Sequence, residues 1–156
     1  MKEKTCCFTG HRHIPPEHLP VILKKLNDTL TTYIRQGYQY FGAGGALGFD
    51  TLAAQAVINL KQQYPNIKLI LVLPCRDQTN KWSPIDVEEY ERIKARADKI
   101  VYTADRYYNG CMQKRNRHLV DCSSLCICYL TKQSGGTKYT VDYAIANGLS
   151  IVNLVK

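Results

Sequence analysis

The run Lys68-Leu69-Ile70-Leu71-Val72-Leu73, closed by Pro74, is the stretch on which the fold turns. Its unbroken apolar character predicts a strand covered on both faces, the mark of a parallel sheet flanked by helices. Parallel strands need crossover helices, and the sequence supplies them on either side of this run. Upstream, Phe49, Leu52, Ala53, Ala56, Val57, Leu60 and Tyr64 recur at helical spacing and stop at Pro65. Downstream, Ser83-Pro84 opens a charged helix to about Ala97, with serine at the cap and proline in the first turn.

Further out, Lys4 to Phe8 predicts the first strand, and Leu19, Ile22, Leu23, Leu26, Leu30, Tyr33 and Ile34 an amphipathic helix stopped by Gly37. Strands over Tyr38 to Gly42, Ile100 to Thr103, Leu125 to Leu130 and Ile151 to Val155, with helices over Gly110 to Cys122 and Thr137 to Asn147, complete the pattern. Such alternation implies an α/β fold that is Rossmann-like and doubly wound, with a mostly parallel sheet and helices on both faces. The 156 residues suit one compact domain over 1–156.

No run of 18 or more apolar residues is present, and the start turns polar at Thr9-Gly10-His11-Arg12, so a cytoplasmic protein with no membrane partner is expected. Seven cysteines, several inside apolar runs, are expected to be reduced. Cys126-Ile127-Cys128 is expected to turn its two sulfurs to opposite faces of a strand, and without paired C-x-x-C spacing no metal is expected. The formal charge of +8 suits nucleic acid or small anions; Lys and Arg are scattered, so charge alone does not choose between them.

In open parallel sheets ligands bind outside the carboxyl ends of the strands, where strand order reverses. Three unusual segments fall at such ends and are expected to share one crevice: Thr9-Gly10-His11-Arg12, Gly42 to Asp50 with its loop Gly44-Gly45-Ala46-Leu47-Gly48, and Ser134-Gly135-Gly136-Thr137. The last offers backbone N–H groups, a hydroxyl and a helix N-terminus to a phosphate, or else is only a tight turn with a threonine cap. Asp50 either accepts from a ribose hydroxyl or base edge or caps its helix. Arg12 can fork onto phosphate oxygens. Trp82, in the segment with Arg76 and Asp77, either stacks on a base or packs in the core. Arg115, Asn116 and Asp121 either reach the crevice or form a solvated helix face. No Walker A sequence and no G-x-G-x-x-G is present, which disfavours a P-loop NTPase and an ordinary dehydrogenase.

Together these motifs resemble the SLOG superfamily, named for the DNA-processing protein DprA and the LOG cytokinin-activating hydrolases, and most closely its YpsA-like branch. Gly10-His11-Arg12 is similar to the G-S-R of DprA proteins, and Gly44 to Ala53 (GGALGFDTLA) to their G-G-A-R-G-I-D-x-x-A. Thr9-Gly10-His11-Arg12, Gly45 to Asp50, Asp77-Gln78 with Trp82, and Asn116 with Asp121 look like the YpsA-like pattern. Arg115-Asn116-x-x-Leu119 and Gly135-Gly136-Thr137 resemble the R-K-x-x-M and P-G-G-x-G-T-x-x-E of the hydrolases, whose catalytic Glu falls at Thr140. A hydroxyl cannot supply that carboxylate's chemistry, and Asp142 faces elsewhere on the helix. Leu47 and Ala54 stand where DprA proteins carry Arg and His.

The resemblance therefore implies a non-catalytic binder or sensor of a nucleotide-derived phosphate compound, a mononucleotide, ADP-ribose or similar ligand. The alternatives are a nucleotide phosphoribohydrolase, with Arg115 retained and Asp50 or Asp121 replacing the missing carboxylate, and single-stranded nucleic-acid binding. SLOG relatives are often dimers, so a homodimer through the third or fourth helix is a further expectation.

Overall fold

Strands and helices alternate along the chain in the computed structural model, which describes residues 1–155. After a short 3-10 turn at Lys2–Lys4 come β1 (Thr5–Gly10), α1 (Leu19–Arg35), β2 (Tyr40–Ala43), α2 (Phe49–Leu60), β3 (Lys68–Leu73) and α3 (Pro84–Arg96). The chain continues through β4 (Lys99–Tyr102), α4 (Cys111–Asp121), β5 (Leu125–Tyr129), α5 (Gly136–Ala146) and β6 (Ser150–Asn153). All strand pairings are parallel, in the order β4-β3-β2-β1-β5-β6. The Rossmann-like expectation holds, and β3 has the bounds its apolar run predicts. α2 stops at Leu60, four residues short of the apolar Tyr64.

The order fixes which helices cover which strands. Each step from β1 to β4 moves the same way across the sheet, so right-handed crossovers put α1, α2 and α3 on one face. There Ile22, Leu26, Phe49, Val57, Tyr90 and Ile93 meet Phe8, Phe41, Leu69, Leu71 and Leu73. The step from β4 back past β1 to β5 reverses direction, so α4 and α5 cross the other face, where Leu119, Val120, Val141 and Ala144 pack on Cys7, Cys126 and Cys128.

Two expectations need correction. β3 is not covered equally on both faces: Leu69, Leu71 and Leu73 are buried, whereas Ile70 on the opposite face is only half-buried. Two helices span less sheet than three, and a hollow of about 360 Å³ stands over Tyr40, Ile70 and Val101. Cys126 and Cys128 do not point to opposite faces, since residues two apart in a strand share one; both are wholly buried in the α4–α5 layer.

No disulfide joins the seven cysteines, of which six are buried and Cys122 is exposed. In the native protein a thiol-specific chromogenic reagent is expected to titrate Cys122 first, and slowly at neutral pH, because partial burial and then Asp121 raise its thiol above the usual range. Denaturant should release the rest; several native thiols reacting at once would contradict this packing. No helix among the described residues is long and apolar enough to cross a membrane.

Candidate functional site

The reversal of strand order falls between β1 and β5, and the loops leaving their carboxyl ends are tied together. His11 Nε2 accepts a hydrogen bond from the backbone N–H of Thr131 (2.9 Å), which fixes the ring as a neutral Nδ1–H imidazole standing edge-on to Tyr129. Burial, and then Lys132, lower the His11 pKa from its ordinary value, so this form prevails at neutral pH. The His11 carbonyl accepts from the N–H of Phe49 and so joins the β1 loop to the start of α2 (3.1 Å).

That junction tolerates little bulk. A Cβ on Gly10 would stand 2.5 Å from Phe49 Cβ. Gly48 has φ of +81°, and a Cβ there would fall on the backbone carbonyl of Arg12. Gly45 also lies in the left-handed region, and a Cβ on it would meet Leu73 Cδ2.

At Gly44 the loop meets two buried charges. A Cβ there would lie 2.6 Å from Arg115 Nη1 and 2.9 Å from Asp50 Oδ2. Arg115 is 4% exposed, and its Nη1 donates to the Gly44 carbonyl while Nε donates to Asn116 Oδ1 (2.8 Å). Asp50, in the first turn of α2 and 6% exposed, accepts from the N–H of Ala46 (3.2 Å). Burial raises the Asp50 pKa despite the opposing pull of Arg115 and Arg12, and burial lowers that of Arg115 despite Asp50. Desolvation thus outweighs mutual attraction at both groups. Arg115 is therefore no solvated helix face, and Asp50 reaches back to the loop before its helix.

The third segment differs. Gly135 (φ +100°) and Gly136 open α5, and a Cβ on either would meet nothing within 4 Å. The first N–H groups of a helix lack intrahelical partners, so here they and the half-buried Thr137 face unfilled space beside the β1–β5 reversal. One turn on, Thr140 is buried and its hydroxyl donates to the Gly136 carbonyl (2.9 Å).

Other residues singled out in the sequence are spread around and beyond this junction. Arg12 is exposed and lines a hollow of about 450 Å³ with Gly48, Asp86 and Glu89, on the α1–α3 side of the loops. Arg76 stands over the Tyr102 ring (4.1 Å) and pairs with Asp105 (3.1 Å), beside the β4 edge. Trp82 is half-buried and stands edge-on to Tyr90 (5.4 Å). Asp121 ends α4 at the opposite rim of the sheet and accepts from the Tyr143 hydroxyl (2.7 Å), so it does not join the crevice.

The structure adds a group not singled out as site residues. The Gln78 amide donates to the Gly45 carbonyl (3.5 Å) and its oxygen accepts from the buried Tyr90 hydroxyl (3.3 Å). Tyr90 was findable, because it falls three residues before Ile93 and so marks the inward stripe of an otherwise charged helix.

Residues 7–150 match the model of a family described as the YspA SLOG family. Among curated relatives, the UPF0398 protein YpsA of Bacillus subtilis is 28% identical over 79% of this chain and 70% of its own length. The UPF0398 protein BH1768 of Halalkalibacterium halodurans is 31% identical over 86% and 71%. Among solved structures, DNA processing protein A from Helicobacter pylori, described for its single-stranded DNA binding mode, superposes with a TM-score of 0.68 at 16% identity. That match covers 96% of this chain, which spans 64% of the Helicobacter chain's length. The structural-genomics target TM1055 superposes at 0.57 with 19% identity, over 95% of this chain and 72% of that one. At such identities the two structures speak for the fold.

Proposed function

This chain belongs to the YspA SLOG family, and from that premise we propose that it binds a nucleotide-derived phosphate compound at the β1–β5 reversal without transforming it. One observation carries the reading: Gly135 and Gly136 present the start of α5 to open space, whereas the other glycines of the crevice, Gly10, Gly44, Gly45 and Gly48, are pressed against neighbours. A bare helix N-terminus supplies N–H donors and a positive dipole end to an anion. The position where the resembling hydrolases carry their catalytic Glu holds Thr140, whose hydroxyl is committed to the Gly136 carbonyl, which favours binding over glycosidic cleavage.

The test is direct. Mass spectrometry of ligand released from the purified protein, with thermal shifts against a nucleotide panel, should find a phosphate-bearing compound; no released ligand and no shift at saturating concentrations would refute binding. Gly136→Ala separates ligand from fold. Its Cβ meets no protein atom and alanine favours a helix, so the apo protein should keep its stability or gain up to about 1 kcal/mol while the ligand-induced shift is lost. An intact shift in this variant would place the phosphate elsewhere.

A second reading, single-stranded nucleic-acid binding, draws on the charge of +8 and the fold shared with DNA processing protein A. Against it stand Leu47 and the buried Ala54, where DprA proteins carry Arg and His. Binding of this kind requires affinity for oligonucleotides that falls with salt at a log-log slope of roughly −0.7 per neutralised phosphate.

A further inference from the structure

The segments after β3 and β4 enclose a cleft of about 440 Å³ on the same rim of the sheet as the glycine loops, lined by Gln78, Asn80, Lys81, Trp82, Tyr107 and Met112. Its walls are clasped. The N–H of Tyr107 donates to Asp77 Oδ1 (2.9 Å), and the N–H of Arg76 to the Asp105 carbonyl (3.1 Å). Trp82 is braced by Tyr90, whose hydroxyl bonds the amide of Gln78. Tyr107, by contrast, is 59% exposed, a large ring left to solvent beside the half-buried Trp82. A hollow of this size with aromatic walls, side-chain amides and the opposite charges of Lys81 and Asp77 at its rim has the make-up of a site for a small polar aromatic ligand.

We propose that this cleft is the base subsite of an extended nucleotide, taking a planar heteroaromatic base against Trp82 and Tyr107, with the amides of Asn80 and Gln78 at the base edge. The proposal rests on the phosphate reading of the α5 start, and the distance between the two places sets the ligand class. β5 and β3 are three strand steps apart, about 14 Å at the usual interstrand spacing. Two bonds tie the cleft to the glycine loop that lies between the two places: Met112 lines the cleft and its sulfur accepts from Arg115 Nη2 (3.9 Å), and Gln78 bonds Gly45. A nucleoside monophosphate occupies one end only. A base and ribose carried on a pyrophosphate bridge reach both.

Trp82 is the only tryptophan, so its fluorescence reports the cleft without a label. Adenosine, AMP, ribose 5-phosphate and ADP-ribose are titrated in parallel by Trp82 emission and by thermal shift. ADP-ribose should quench Trp82 and bind about tenfold or more tighter than AMP or ribose 5-phosphate, because two linked contacts act at high effective concentration. Tyr107→Ala, an exposed position outside the core, should weaken ADP-ribose about five- to a hundredfold, as expected for losing a stacking partner, and leave ribose 5-phosphate unchanged. Equal binding of ADP-ribose and ribose 5-phosphate with silent Trp82 overturns the base subsite and leaves the phosphate reading standing. ADP-ribose that quenches Trp82 and is weakened by Tyr107→Ala but not by Gly136→Ala upholds the cleft and removes the phosphate reading. Equal affinity for AMP and ADP-ribose overturns the extended ligand, and no binding by any of the four overturns both assignments.

Discussion

Arg115→Met is expected to lower the free energy of unfolding by about 3–5 kcal/mol, the usual loss when one of two buried opposite charges is removed and the other stays. Methionine fills much of the volume, so the loss is electrostatic more than steric. The Gly44 carbonyl loses its donor and Asp50 keeps its charge in a site already short of solvation. The pH dependence gives the sign. The folded-state pKa of Asp50 lies above its ordinary 3.8, so the native state holds this proton more tightly than the unfolded chain does. The stability this group contributes is thus present below 3.8 and lost as pH rises through the raised folded value. Removing Arg115 raises that value further, so the variant's deficit should be largest at neutral pH and shrink as pH falls toward 3.8. Denaturant melts across this range check it. The double variant with Asp50→Asn, which retains an acceptor for Ala46 and discards the charge, should recover a large part of the loss. If it recovers nothing, the uncompensated carboxylate is not the cause.

Gly48→Ala is expected to cost roughly 2–6 kcal/mol, combining a left-handed backbone with overpacking in a site that cannot widen. The obstacle is the Arg12 carbonyl, backbone rather than a flexible side chain, and Arg12 is held by the neighbouring His11–Phe49 and His11–Thr131 bonds. Relief has to come from parting the β1 loop from α2. Circular dichroism melts measure the loss, and a variant as stable as the parent would show that the loops are not locked. The contrast with Gly136→Ala is the useful one, since the same substitution at two glycines of one crevice should act on the fold in one case and on the ligand in the other.

The secondary structure was legible because alternation of strand and helix leaves periods of two and 3.6 in the chain, and the strand ends follow from it. Coverage of the sheet was not, because one apolar run reports burial without saying which helix buries each face; Ile70 is the residue that shows the gap. Arg115 was partly legible. Cys111, Arg115 and Leu119 stand four apart, which places the guanidinium on the inward stripe of α4, while Asp121, two residues beyond, belongs to another face and the other rim. His11 with Thr131 and Gln78 with Tyr90 are contacts between distant segments, and no local period announces them. Spacing located the glycine loops but could not separate glycines pressed by neighbours from those facing empty space.

The position of β1 also dictates when this chain can finish folding. It pairs early with β2, but its other edge waits for β5, joining Cys6 to Leu125. While the chain is being made, a four-stranded half with α1, α2 and α3 can assemble, yet one side of Cys6, Cys7, Phe8 and Thr9 keeps bare amide and carbonyl groups. Closing so long a separation makes this the slow step of assembly, and it leaves an apolar strand open to pairing with a neighbouring chain until β5 emerges. The start of α5 therefore comes to lie beside the earlier glycine loops only once β5 has paired with β1.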